Sequence, residues 1–406
     1  MKYCLVFIAF FLSICFAQSS FSHPNERSEV GIYKNKFIWT GTGQAFVPNY
    51  IMIGMLASNL DEITEENLEK FIDEFMHGHG FTGVHVPVSG QWFHIGERRV
   101  TKNDTEPDIR TYDKLAMIIQ KVYEAGGCTH IWLWGDNERG QTAKSTLDGI
   151  MGRQEKRVLD MIAQKLGPLK GWTMGYGFDL WEWVNAQQLK EWHDYMRSKP
   201  GWNHLLGARS SKNQLNQMYE GLDYSSYEYH KPWYSELVKM INQRASKPSF
   251  SEDRYRIRRK SRYPCKDYNE DETRRGLWHH TMAGGIAAIW GNLDDNGIYS
   301  NKDALKSFSS FWNDKKRFKK DMIIDNKLTD GYCLRASDQH YVFYKEDCDK
   351  LKYSFGGTPK NVIALDTRKK YKEIELGMKE TGNYVFNAPY ISDWAIAVEK
   401  KPSNKK

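Results

Sequence analysis

The sequence predicts an α/β protein: a (β/α)₈ TIM barrel followed by a small antiparallel β-sandwich. Three observations predict it. Eight short apolar strand candidates between residues 51 and 290 alternate with segments of helical period, the pattern of a parallel barrel. From about Lys320 the helical period stops, and short alternating runs broken by Gly, Asn and Asp take over, as in a sandwich. Polar and aromatic residues also collect after nearly every strand candidate, where a barrel builds its sites.

In chain order, the opening MKYCLVFIAFFLSICFAQSS sets Lys2 before an apolar run from Leu5 to Phe16 and a small residue, Ala17. This reads as a secretory signal over 1–17, its apolar run too short to span a bilayer. A secreted or periplasmic protein is expected, with no membrane contact once the signal is removed. The barrel is expected over 18–319, the sandwich over 320–399 and a basic tail over 400–406. After a lead to residue 48, the strand candidates are IMIGML (51–56), FTGVHVPV (81–88), THIWLW (129–134), GWTMGYGF (171–178), NHLLGA (203–208), DYSSYEY (223–229), PSFSE (248–252) and GIAAIW (285–290). Helical segments are expected at 64–77, 109–125, 153–166, 185–198, 211–220, 233–243, 271–284 and 301–317. The one at 185–198 opens with Asn185 and carries Gln188 three residues on, a capping-box pattern.

The formal net charge of +7 overstates the cationic character. Lys2 and the four lysines of 399–406 account for five of the surplus cations, so no nucleic-acid partner is implied. Four cysteines follow the signal: Cys128, Cys265, Cys333 and Cys348. The last two are close enough in sequence to pair in an oxidising compartment, or to stand as separate buried thiols. The 14 Trp, 23 Tyr and 19 Phe often sit beside turn residues and charges, where flat faces suit stacking on sugar rings. Most of them nonetheless serve a core.

Hydrolysis of a glycosidic bond needs one carboxylic acid and one carboxylate on the same barrel face. Glu252, at the end of the seventh strand candidate, suits the nucleophile. Asp179 and Glu182 both follow the fourth. Glu182 lies between Trp181 and Trp183, apolar neighbours that would keep it protonated as the acid. Asp179 is nearer the strand end and suits either the same role or the orientation of a neighbour. Candidate substrate contacts at other strand ends are His85 and Trp92, then Trp134, Asp136 and Asn137, then Arg209, then Tyr227, Tyr229 and His230, and finally Trp290. Six cations from Arg254 to Arg262 follow Glu252. They read either as a clamp on sulfate or carboxylate groups, Arg254 first, or as a solvated loop. His77 and His79 fall before the second strand, at the wrong barrel end for a metal site, and suit a helix C-cap. No cofactor or metal is expected. The partner expected is a polysaccharide, with a sugar-binding barrel or, less simply, a metal-dependent barrel hydrolase as the other readings.

The pieces GWTMGYGFDLWEWV, SFSEDRYRIR and RRGLWHHTMAGGIAAIWGN resemble those of bacterial glycoside hydrolases with clan-A-type barrels. The closing run from YVFYKE through NAPYISDWAIAVE is similar to the collagen-binding-like second domain of such proteins. The resemblance implies net retention, an acid/base after the fourth strand and a nucleophile after the seventh, carried here onto Glu182 and Glu252. It also implies a Tyr after the sixth strand and a Trp after the eighth lining the site, matching Tyr227 or Tyr229 and Trp290. The Asn-Glu pair that usually closes the fourth strand is replaced by Phe178-Asp179, which keeps Asp179 in contention as the acid.

Overall fold

The computed structural model describes residues 27–57, 60–88, 107–135, 137–211, 219–229, 231, 233–244, 246–255, 268–291, 302–337 and 339–400; at 55, 210, 211, 228 and 252–255 it describes the backbone alone. The predicted signal over 1–17, Cys265 and residues 401–406 of the basic tail fall outside these residues.

Eight parallel strands close a barrel in chain order: β4 (Asn49–Met52), β5 (Gly83–Pro87), β6 (Cys128–Trp134), β7 (Trp172–Gly177), β8 (Leu206–Ser211), β9 (Tyr224–Glu228), β10 (Ser249–Tyr255) and β11 (Ala287–Trp290). Helices α1 (Glu65–Ile72), α2 (Ile109–Glu124), α3 (Ala143–Thr146), α4 (Arg153–Lys165), α5 (Ala186–Arg197), α6 (Tyr234–Gln243), α7 (Glu270–Met282) and α8 (Lys302–Ser309) run between and after them. The predicted capping box is present on α5, where Asn185 and Gln188 exchange side-chain-to-backbone bonds. Two strands are displaced from their predicted spans. β4 starts two residues early and gives way to a 3₁₀ turn at Ile53–Met55, and β8 starts three residues late. Most of the helix predicted at 211–220 lies outside the described residues.

Each barrel strand is buried on both faces. Odd and even positions go to different cores. Tyr50, Met52, Trp132, Tyr224, Phe250 and Ile289 fill the barrel interior, while Ile131, Leu133, Trp172, Met174, Tyr176 and Trp290 pack under the helices. Neighbouring strands approach closely at Gly83, where a Cβ would lie 1.9 Å from the Cys128 carbonyl oxygen.

The stretch taken as a lead is an antiparallel sheet of β1 (Val30–Tyr33), β2 (Lys36–Trp39) and β3 (Ala45–Phe46). Lys34 takes a left-handed φ of 54° in its first turn. Phe37 of β2 contacts Tyr224 and Phe250 at ring distances of 6.0 and 6.3 Å, so this sheet plugs the N-terminal end of the barrel.

The C-terminal sheet orders six strands as β12 (Ile323–Ile324), β13 (Tyr332–Ala336), β14 (His340–Phe355), β17 (Gly382–Glu399), β15 (Lys360–Asp366) and β16 (Glu373–Lys379). Register breaks around Cys348 let the long β14–β17 ribbon fold over. Phe343, Val362, Ile396 and Val398 then pack against Leu351, Tyr353 and Phe355 of its distal half, giving a two-layered core consistent with a sandwich. The opposite face presents Val342, Tyr344, Ile363 and Ala395 to the barrel's own core, where Trp278 of α7 stacks on Tyr344 at 4.8 Å. Cys333 and Cys348 are separate buried thiols.

Candidate active site

Side chains from three strands converge at the C-terminal mouth of the barrel. Trp132 of β6 is its floor. Phe178 tilts against that ring at 5.1 Å, and the Arg209 guanidinium of β8 lies 5.8 Å from its centre. Arg209 is itself buried and donates through Nη2 to Asp179 Oδ1 at 2.8 Å. The Asp179 side chain keeps 25% of its surface open. Asp179 adopts a left-handed φ of 51°, a conformation its short polar side chain tolerates. That turn ends β7 and starts the 3₁₀ turn Leu180–Glu182.

A polar chain supports the floor from below. His85 Nδ1 lies 2.9 Å from His130 Nδ1, and His130 Nε2 lies 2.9 Å from the Tyr224 hydroxyl. The His85 ring meets Trp132 edge-on at 4.3 Å. Burial pushes His130 down to about 3, so it stays neutral and acts as a spacer, not as a proton carrier at ordinary pH.

Several residues expected at the mouth lie elsewhere. Trp290 is on the outer face of β11, buried edge-on to Phe81 at 5.4 Å. Tyr227 is on the outer face of β9, donating to the Met240 carbonyl of α6 at 2.7 Å. Neither lines the cleft, because side chains alternate faces along a strand and both positions are out of phase with the interior. Trp134 points to α4, its indole N–H donating to Glu155 Oε1 at 2.6 Å; the same oxygen accepts from the Tyr176 hydroxyl at 2.6 Å. His85 faces inward and is buried against Trp132 and His130. Tyr229 donates to the Glu236 carboxylate, which also accepts from the Trp233 N–H at 3.1 Å and so caps α6. Asn137 lies in an exposed turn closed by a bond from the Gly140 N–H to its carbonyl at 3.0 Å. Trp92, Asp136 and His230 fall outside the described residues.

Glu252 lies within β10, not at its end. The strand runs to Tyr255, but its register against β11 breaks between Ser251 and Arg254, so residues 252 and 253 form an irregularity at the mouth end. The side chains of Glu252 and Arg254 are outside the described set. Glu182 is exposed: Trp183 turns into the core while Trp181 turns to solvent, so the apolar enclosure expected from its neighbours is not there. His79 donates from Nδ1 to the Glu74 carbonyl at 2.7 Å, the helix-end role expected for it.

Sequence reasoning missed Trp132, His130 and Tyr224 as interior residues. It also gave no separate role to two exposed tryptophans. Trp181 and Trp233, 45% and 77% exposed, follow β7 and β9 on the face that carries Asp179. The available signal was a large aromatic between charged or turn residues just past a strand.

No family model and no curated protein matches the chain. Solved structures do. A protein described as a glycoside hydrolase aligns over 93% of this chain and 97% of its own at 12% identity, with a TM-score of 0.65. A glycoside hydrolase family 5 protein from Bacteroides vulgatus aligns over 94% of each chain at 12% identity, with a TM-score of 0.67. A GH30 endoxylanase from Clostridium papyrosolvens aligns over 92% of this chain and 99% of its own at 10% identity, with a TM-score of 0.55. These likenesses extend over nearly the whole chain, and at such identities they establish a shared fold: this chain has the barrel-plus-sheet architecture of those glycoside hydrolases.

Proposed function

We propose that the chain is an exported, retaining O-glycoside hydrolase that cleaves a polysaccharide by double displacement. The observation that carries this reading is the Asp179–Arg209 pair over the Trp132 floor at the C-terminal mouth, with exposed tryptophans beside it. The names of the structures sharing this fold support it. In this reading Glu252 attacks the anomeric carbon, and an acid from the loop after β7 protonates the departing oxygen and later activates water. Glu182, open to solvent, supplies that proton. Asp179, held by Arg209, is a poor proton donor and instead orients substrate or Glu182. The place of Asp179 at the strand end favours a second assignment, in which Asp179 is the acid and Arg209 releases it when substrate binds. The six cations from Arg254 to Arg262 suit a sulfated or uronic substrate. The C-terminal sheet, docked on α7, acts as a support.

Glu252→Gln is expected to abolish turnover while leaving the fold intact; persistent hydrolysis would remove the nucleophile assignment. Azide should restore Glu182→Ala by attacking the glycosyl-Glu252 intermediate in place of activated water, giving a glycosyl azide of retained anomeric form, and should not restore Asp179→Ala. The reverse pattern selects the second assignment. Substrate affinity should fall steeply with salt if the cationic stretch engages anionic groups; salt-indifferent binding points to a neutral polysaccharide. A barrel that binds polysaccharide tightly without releasing any product would be a sugar-binding protein, a reading favoured by the absent Asn-Glu pair.

A further inference from the structure

Lys36 is a buried cation at the end of the barrel away from the mouth. It belongs to β2, is 2% exposed, and its ammonium donates to Asn35 Oδ1 at 2.8 Å. The ammonium lies 6.0 Å from the Phe318 ring centre, and a Cβ placed on Gly284 would stand 3.6 Å from it. No carboxylate among the described residues forms an ion pair with it, and burial is the one influence on its acidity, pushing it down to about 8. A buried ammonium without a countercharge is costly, and most such groups are paired.

The same side chain lines a cavity of about 450 Å³ formed where β1–β2, the end of α6, the turn before β11 and the strand β12 meet. That volume lies in the range of small-molecule sites, roughly 300–1,000 Å³. Val238, Ile241, Ala283, Met322 and Ile324 give it an apolar wall. The other charged side chains lining it among the described residues are Lys34, Lys320 and Asp321; α6 contributes Asn242. The two lysine ammoniums lie 5.6 and 4.9 Å from the Tyr33 ring centre. Cations thus outnumber the single acid.

We infer that this cavity binds the oxyanion group of a small ligand, with Lys36 as its inner counter-ion and the apolar wall taking an attached carbon frame. The group is a carboxylate or a sulfate; its source is either a sugar acid or a free inorganic ion. The site is separate from the mouth, so its occupation reports on the whole protein and does not require turnover.

Calorimetric titration of the full chain with glucuronate and, separately, with inorganic sulfate tests the inference. One saturable event is expected for glucuronate, weakened roughly thirtyfold or more in Lys36→Met, the loss that accompanies removal of one partner of a buried charge pair. Lys34→Ala should weaken it far less. In the wild-type chain, binding should fall as pH rises through about 8, where the Lys36 ammonium loses its proton. Sulfate binding as tight as glucuronate binding, and equally lost in Lys36→Met, supports the site with the free ion as occupant. Absence of saturable binding by either probe, or equal binding by a folded Lys36→Met chain, overturns the inference, as does affinity that ignores pH between 7 and 9.5 in the wild type. Lys36→Met retains the apolar stem, so thermal unfolding no lower than wild type verifies that the variant is folded.

Discussion

Asp179 at the barrel mouth and Asp393 at the junction with the C-terminal sheet are both carboxylates held by arginine, yet they are built for opposite ends. The Asp393 side chain has no exposed surface. It accepts from Arg274 at 2.6 Å, from two nitrogens of Arg275 at 2.8 and 2.9 Å, from the Asp347 N–H at 2.9 Å and from Arg368 at 3.3 Å. Burial pushes it up, but the Arg275 and Arg274 guanidiniums and the Asp347 N–H outweigh that and bring it to about 2. Every acceptor direction is taken by the fold, so the group joins α7 to β14 and β17 and has nothing left for a ligand. Asp179 also meets a buried arginine, but a quarter of its side-chain surface stays exposed. A carboxylate sealed within the fold can only stabilise it; one that remains partly exposed can still be reached from solvent.

The comparison can be broken at either end. Asp393→Ala removes the buried carboxylate that Arg274, Arg275 and Arg368 share and leaves them only the more exposed Asp271, Glu346 and Asp347, and the expected loss is about 3–5 kcal/mol of stability, read by denaturant unfolding. Activity per folded molecule should be unchanged; parallel loss of both would mean that the sheet shapes the site. Because the folded-state value of Asp393 lies below its ordinary value near 3.8, its contribution is present above that pH and disappears as pH falls toward about 2. In Asp393→Asn that acid-range slope should flatten. Asp179→Asn should show the converse behaviour, with kcat reduced about a hundredfold by misplacement at the mouth and unfolding temperature little changed. A large stability loss in that variant would reclassify Asp179 as structural. The smallest effect is expected for Trp181→Ala, which should raise KM about two- to tenfold at constant kcat, the scale of one lost aromatic stacking contact. An unchanged KM would remove Trp181 from the binding surface.

Much of the architecture was legible because its signals are local. The capping box at Asn185 and Gln188, the apolar runs of β6 and β7, and the loss of helical period after Lys320 each depend on residues within a turn or a strand. The N-terminal sheet carried a comparable signal in VGIYKNKFIW, but its function as a barrel plug rests on Phe37 reaching Tyr224 and Phe250. Strand phase was harder. A barrel strand is buried on both faces, so hydrophobicity does not alternate and cannot say which side chains point at the axis. Hence Tyr227 and Trp290 were expected at the mouth, whereas Tyr224 and Ile289 occupy the interior.

The sequence by itself determined the order of strands and helices, the change of architecture near Lys320, and the presence of acids at 179, 182 and 252, because short-range periodicity and residue chemistry suffice for these. Only the tertiary structure decided that Arg209 would hold Asp179, that His130 would meet Tyr224 across 94 residues of chain, and that Asp393 would be consumed in a clamp. Those outcomes depend on barrel closure and on which face of each strand turns inward, and neither is encoded within any one segment.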